Sequence, residues 1–216
     1  MCNKACLDFG KAVLAAGDVK GKAVIEVGSL DVNGSLRHDI EASGPTSYVG
    51  VDIQAGRGVD RICRVEDLIT RFGRESFDVV LCTELLEHVE DWRIAIHNLK
   101  TILKPGGALL ITTRSRGFEY HGYPYDFWRY EITDMRHIFA DLDIEKLQSD
   151  APEPGVFFFA RKPADFAEKD LRSYALYSIV LGARSSVARN SLYWSLVCFP
   201  LRKIFGKRRW INSLKK

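Results

Sequence analysis

The chain has no Cys-x-x-Cys pair, and its five cysteines, at positions 2, 6, 63, 82 and 198, are odd in number and far apart. That excludes a disulfide framework and a structural zinc site and makes a reducing cytoplasm the expected compartment. No run of about 18 apolar residues occurs, so nothing reads as a membrane-spanning helix, and the opening MCNKACLDFG lacks the apolar core of a signal peptide. Proline is scarce, at 7 of 216 residues, and no triplet or heptad period runs through the chain, which excludes collagen and coiled coil. With 11% aromatic residues, disorder is excluded too. Acidic residues are missing from the last 46 positions. Residues 1–170 carry 21 basic against 28 acidic side chains, net −7, whereas residues 171–216 carry ten basic and none acidic. Such opposition points to a tail with its own partner.

What is present fits one domain of ordinary size, residues 1–163, and an appendage of about fifty residues, 164–216, after Lys162-Pro163. Residues 4–16 read as a short helix. Short apolar runs follow at regular intervals and predict strands at Ala23–Val27, Ser47–Val51, Val59–Cys63, Phe77–Cys82, Ala108–Thr113, Leu142–Gln148 and Val156–Arg161. Between them lie helical patterns. The clearest is Trp92–Leu103, where Ile96, Leu99, Ile102 and Leu103 form one stripe that Pro105-Gly106-Gly107 ends. This alternation predicts a parallel α/β sheet covered on both faces.

Ligands of such sheets bind beyond the carboxyl ends of the strands. The first end reads Val24-Ile-Glu-Val-Gly-Ser-Leu-Asp-Val-Asn-Gly34, which is neither the G-x-G-x-x-G of a dinucleotide site nor a P-loop. An acid two residues before Gly28 repels phosphate and favours a cationic ligand. The second strand ends in Asp52, at about the spacing from Gly28 that reaches a ribose diol.

Four blocks in order, VIEVGS at 24–29, YVGVDI at 48–53, FDVVLCTELLEHVEDW at 77–92 and LKPGGALLITTRS at 103–115, resemble the class I S-adenosylmethionine-dependent methyltransferases of the methyltransferase-11 type over roughly residues 20–161. The resemblance implies a Rossmann-like α/β fold, a seven-stranded, mostly parallel sheet with helices on both faces, with S-adenosyl-L-methionine as cofactor. It implies that Glu26, Gly28 and Ser29 line the methionine part, that Asp52 binds the ribose hydroxyls with Ile53 against the adenine, and that Val65 and Glu66 flank the adenine edge. Cys82 and Thr83 would border the sulfonium, and His88 would complete that wall. The chain departs from the family pattern at Leu30 and Val32, where small residues are common, and at Arg64, where many relatives have an aspartate.

Methyl transfer from a sulfonium is an in-line displacement that needs a close acceptor and little water. Residues 118–130, FEYHGYPYDFWRY, are seven-thirteenths aromatic and follow the fifth predicted strand, so they are expected to cap the site. His121 and Asp126 are the candidate catalytic proton acceptors there; the alternative is a secondary aromatic core with Asp126 paired to Arg129. Glu84, Glu87 and His88 stand at i, i+3 and i+4, and a helical turn would put them on one face, a donor set that suits Mg²⁺, Mn²⁺ or Fe²⁺. No metal is assigned from the sequence. His38, His97 and His137 read as surface or capping residues.

The appendage ends in Ser191–Phe205, apolar with Trp194, Phe199 and Phe205, followed by Lys207, Arg208, Arg209 and Trp210. Its composition predicts a basic helical extension. An anionic membrane surface, on the cytoplasmic face, is one partner for it; a docked helix and phosphate contact are the others. The expected function is methylation of a hydroxyl on a small or lipid-linked acceptor such as a sugar. The alternatives are an RNA methyltransferase, which the acidic main domain disfavours, and a non-catalytic cofactor-binding scaffold.

Overall fold

The computed structural model describes residues 3–122 and 125–188. Apolar runs at regular spacing become one sheet of seven strands, and their connections become the helices that cover it. In chain order the elements are α1 (Lys4–Val13), α2 (Ala16–Val19), β1 (Ala23–Val27), α3 (Arg37–Ala42), β2 (Ser47–Asp52), β3 (Arg61–Ile62), α4 (Leu68–Phe72), β4 (Phe77–Thr83), α5 (Trp92–Ile102), β5 (Leu103–Arg114), β6 (Trp128–Arg129), α6 (Ile132–Ile138), β7 (Asp143–Ser149), β8 (Gly155–Arg161), β9 (Leu176–Ser178) and β10 (Ala183–Ser185). The large sheet has the order β3-β2-β1-β4-β5-β8-β7. Pairing is parallel from β3 to β5, and β8 runs antiparallel to both β5 and β7.

Each face has its own core. On one side α1 and α3 bring Cys6, Phe9, Leu36 and Ile40 onto Val24, Leu81 and Leu110. On the other, α5 lays Trp92, Ile96, Leu99 and Ile102 over Ile25, Val80 and Leu109. The predicted stripe of α5 is therefore its buried face. Asp91 caps that helix by accepting from the Ile94 amide at 3.3 Å. Asn98, on the same helix, donates to the carbonyls of Val65 (2.8 Å) and Glu66 (2.7 Å) and fixes the loop after β3 against it.

Six of the seven predicted strands appear with ends shifted by a few residues. The third shrinks to Arg61–Ile62, both exposed at the sheet edge, where only one neighbour supplies ladder bonds. The predicted helix over 4–16 stops at Val13. Residues 164–188 correct the expectation of a helical extension: they form turns and the strands β9 and β10, of which β9 pairs with both β6 and β10 in a three-stranded antiparallel sheet. The reason is packing. Leu171, Leu176 and Ala188 join the α5 core, and Arg93 donates to the carbonyls of Leu171 (3.0 Å), Ser186 (3.1 Å) and Tyr174. No helix among the described residues is long and apolar enough to cross a membrane. Residues 191–216, including the apolar and basic tail, lie outside the described residues.

Candidate active site

The carboxyl ends of β1, β2 and β4 open into one cavity of about 410 Å³, within the range of small-molecule sites. β1 ends in a turn that only glycine accepts without strain, because Gly28 has φ 82°. A side chain there would also press on Leu85, whose Cβ stands 3.1 Å from the position a methyl would take. The amides of Gly28 and Ser29 both donate to the Val51 carbonyl, at 2.9 and 3.0 Å, so β2 sets the turn's position. Asp52 closes it from the other side, accepting from the amides of Leu30 at 3.3 Å and Gln54 at 3.2 Å.

Glu26, Gly28, Ser29, Asp52, Ile53, Val65, Glu66, Thr83 and His88 all line this cavity. Ile53 is half exposed at its mouth, whereas Thr83 is buried at its floor. Cys82 does not line it. Strand alternation turns the Cys82 side chain into the α5 core, which corrects its expected place beside the sulfonium. Leu30 and Val32 are wall residues, so the missing small residues are replaced by an apolar lining.

Glu26 is strongly perturbed. Burial pushes its carboxyl up to about 7, against the pull of Tyr48, which donates to it in a short hydrogen bond, and of Ser35 at 3.3 Å. Neither Tyr48 nor Ser35 was visible as a site residue in the sequence, since each acts through Glu26 and lies far from it along the chain. The hydroxyl of Ser29, a residue that lines the cavity, is buried without a hydrogen-bond partner, which fits a polar ligand.

The other end is closed by the aromatic cap. Gly122, Tyr125 and Phe127 line the cavity, and the cap is tied down by Phe127 N donating to the Glu87 carbonyl at 2.8 Å and by the Trp128 indole donating to Val89 and Glu90 carbonyls at 3.1 Å. Asp126 is wholly buried and clasped by Arg129 through two hydrogen bonds of 2.6 and 2.9 Å. Burial alone would raise its pKa, but the Arg129 and His121 contacts outweigh it and hold the carboxyl at about 2. Asp126 is thus corrected from candidate base to orienting group: its Oδ2 accepts from the His121 amide at 2.7 Å and stands 3.1 Å from His121 Nδ1. His121 itself lies behind the cavity lining, edge-on to the His88 ring at 4.7 Å.

The expected face of Glu84, Glu87 and His88 does not form. Glu84 has φ 54°, a left-handed residue that breaks the turn, and the helical geometry is only the single turn Leu86–His88. Its carboxylate swings to Arg114, with Cys6 Sγ donating to it at 3.5 Å. Burial and the nearby Glu87 charge push Glu84 up to about 7. What the fold gathers instead is Glu87, His88 and His121, whose donor atoms all lie within 4.8 Å of one another. Only the cap's return brings His121 there. Of the other histidines, His97 pairs with Glu168 at 2.7 Å and His137 stacks on Tyr174 at 4.1 Å, and both belong to packing.

A family model described as a methyltransferase domain matches residues 4–150. A ubiquinone biosynthesis O-methyltransferase of Coxiella burnetii is 30% identical over 118 residues, 49% of each chain, and one of Idiomarina loihiensis is 31% identical over 109 residues, 44% of each. The chain thus matches about half the length of these curated relatives. Among solved structures, Burkholderia thailandensis 1,6-didemethyltoxoflavin-N1-methyltransferase, with bound 1,6-didemethyltoxoflavin and S-adenosylhomocysteine, is 18% identical with a TM-score of 0.58 and covers 74% of this chain and 80% of that one. A methyltransferase from Mesorhizobium loti is 16% identical with a TM-score of 0.54 over 74% of this chain and 99% of that one.

Proposed function

From the premise that this chain belongs to the methyltransferase-domain family and is an S-adenosylmethionine-dependent methyltransferase, we propose that it methylates a hydroxyl group on a small molecule, with lipid-linked sugars as the acceptor class. The observation that carries the hydroxyl is the Glu87, His88 and His121 cluster at the acceptor end, which turns proton-accepting atoms toward one another. A hydroxyl must lose its proton as it is methylated, and a positioned acceptor of that proton speeds the step. The names of the curated relatives, O-methyltransferases, support the same reading.

When bound, S-adenosylmethionine supplies an electrophilic methyl group on a sulfonium. This chain does the rest. Glu26, Gly28 and Ser29 would hold the cofactor's methionine part, Asp52 the ribose diol, and Ile53, Val65 and Glu66 the adenine, with Thr83 lining the same cavity. Tyr125 and Phe127 exclude water and hold the acceptor close, which accounts for much of the acceleration in such displacements. Asp126 fixes the His121 ring so that its Nε2 faces inward toward Glu87.

A membrane-sited acceptor is supported by the tail, where Trp194, Phe199 and Phe205 alternate with Arg202, Lys203 and Lys207–Arg209. Each such cation contributes about 1 kcal/mol near an anionic surface. The deciding experiment incubates the protein and radiolabelled S-adenosylmethionine with lipid-linked sugars, phenols and RNA. Label in a hydroxyl-bearing small molecule is expected; label in RNA alone overturns the reading. Flotation with anionic vesicles, lost on removing residues 191–216, tests the membrane part.

A further inference from the structure

Glu26 lines the cavity and is buried. Among the described residues no lysine, arginine or histidine is ion-paired to it. What reaches it are two hydroxyls, and both go to the same oxygen: Oε2 accepts from Tyr48 of β2 and from Ser35 at 3.3 Å. Neither goes to Oε1. In the β1–β2 ladder Glu26 stands opposite Gly50, and a methyl on that glycine would lie 2.2 Å from the Gly58 carbonyl, so no side chain fits there. Tyr48, two residues earlier on β2, shares the same face of the strand and reaches the carboxyl group diagonally. The Arg37 guanidinium covers its ring at 4.8 Å and is itself clasped by Asp60 through hydrogen bonds of 2.9 and 3.1 Å. Asp60 also accepts from the Gly50 amide at 2.7 Å, which closes the network onto β2. Ser35 is fixed as well, because its oxygen accepts from the Arg37 amide at 3.0 Å and its proton is left for Glu26.

A buried carboxylate held only by hydroxyls lacks a counter-charge, and a cation in the cavity supplies one. We propose that Tyr48 and Ser35 are positioning residues of the cofactor site: by holding Oε2 of Glu26 they reserve Oε1 for the ammonium of the cofactor's amino-acid end. This rests on the reading that the methionine part of S-adenosylmethionine lies at Glu26. Burial pushes that carboxyl up to about 7, so near neutral pH about half of it carries a proton. An arriving ammonium favours the charged form, and the proton leaves to solvent. Of the charged groups around it, Arg37 of α3 eases ionisation and Asp31 of the turn after β1 opposes it, while both hydroxyls ease it. Burial and the Glu26 charge push the Tyr48 phenol up, so it stays a donor throughout.

The test uses S-adenosylhomocysteine, which keeps the ammonium and lacks the sulfonium. Calorimetry of the full chain between pH 6 and 8, in buffers of different ionisation enthalpy, gives both the affinity and the protons released per ligand bound. The parent should release about half a proton at pH 7. Tyr48→Phe keeps the ring and loses the donor, so Glu26 ionises at higher pH. For a rise of about one pH unit, affinity should fall about tenfold at pH 6, about fivefold at pH 7 and only about twofold at pH 8, with proton release at pH 7 rising toward one. Ser35→Ala should shift both in the same direction by less, and it carries the test if Tyr48→Phe folds poorly. A merely structural tyrosine would lower affinity by one factor at every pH. That result, a Tyr48→Phe profile matching the parent's, or no proton release by the parent overturns the proposal and leaves the cofactor reading standing. Failure of the parent to bind S-adenosylhomocysteine at any pH overturns both, so the parent alone tells the two failures apart.

Discussion

The two ends of the cavity are built by different means. At the cofactor end the positions come from strand register: the Val51 carbonyl of β2 holds the Gly28–Ser29 turn and one carboxylate, Asp52, ties the loop. At the acceptor end the groups come from distant parts of the chain and are held by a buried ion pair, Asp126–Arg129, and by side chains reaching backbone carbonyls. Backbone scaffolding tolerates changes of side chain; a cap hung on one buried charge pair does not. The first end is set by the sheet and the second by a few polar contacts.

The sharpest way to break the contrast is to remove one partner of that pair. Asp126→Ala leaves the Arg129 charge buried, which costs about 3–5 kcal/mol, and the Tm should fall by roughly 10 °C in differential scanning fluorimetry. The Asp126→Leu, Arg129→Met double replacement should recover most of the loss while still lacking activity. Next, His121→Ala should lower turnover by ~10²-fold once an acceptor is known, with S-adenosylhomocysteine affinity within twofold of the parent by calorimetry. An equal loss in both would mean that the two ends are not separable. Third, Asp52→Ala should do the reverse, weakening S-adenosylhomocysteine tenfold or more for a lost bond to a charged group of ~1.5–3 kcal/mol, with turnover at saturating cofactor retained.

The smallest effect concerns Glu26. Its folded pKa, about 7, lies above the ordinary 4.5, so the folded state holds this proton more tightly than the unfolded one. Stability from this group is full below about pH 4.5 and is lost as pH rises through 7. Glu26→Gln should therefore flatten the decline in Tm between pH 5 and 8 by a few degrees. An unchanged decline would assign it to Glu84, which is raised to the same range.

Strand ends were legible because one period and one residue type decide them: an apolar run followed by Gly28, or by Asp52, has few other uses. The α5 stripe was legible for the same reason. Glu84 was not, since the spacing of Glu84, Glu87 and His88 presumes a helical turn and nothing local forbids it; the left-handed φ there comes with an ion pair to Arg114, thirty residues on. Cys82 was misplaced by one position of strand alternation. The cap's aromatics announced a lid, but which of His121 and Asp126 keeps a free lone pair depends on Arg129, three residues beyond, folding back onto the carboxylate. Residues 164–188 read as helical from composition, and their strands exist only because β6 offers an edge.

The antiparallel strand has a consequence for how the chain is made. β8 lies between β5 and β7 although it follows both in sequence. Until residues 155–161 have been synthesised, β5 is an open edge, and Thr112, Thr113 and Arg114, which face Phe157, Val156 and Gly155 in the finished ladder, have no partner strand on that side. A nascent chain paused before that point presents apolar, unpaired ladder groups, the kind of surface that recruits chaperones or pairs with another molecule. Closure of the acceptor end, which grows from the same strand, is therefore a late event in folding. Pulse-labelled hydrogen exchange should find the β1–β4 amides protected before those of Leu110–Arg114.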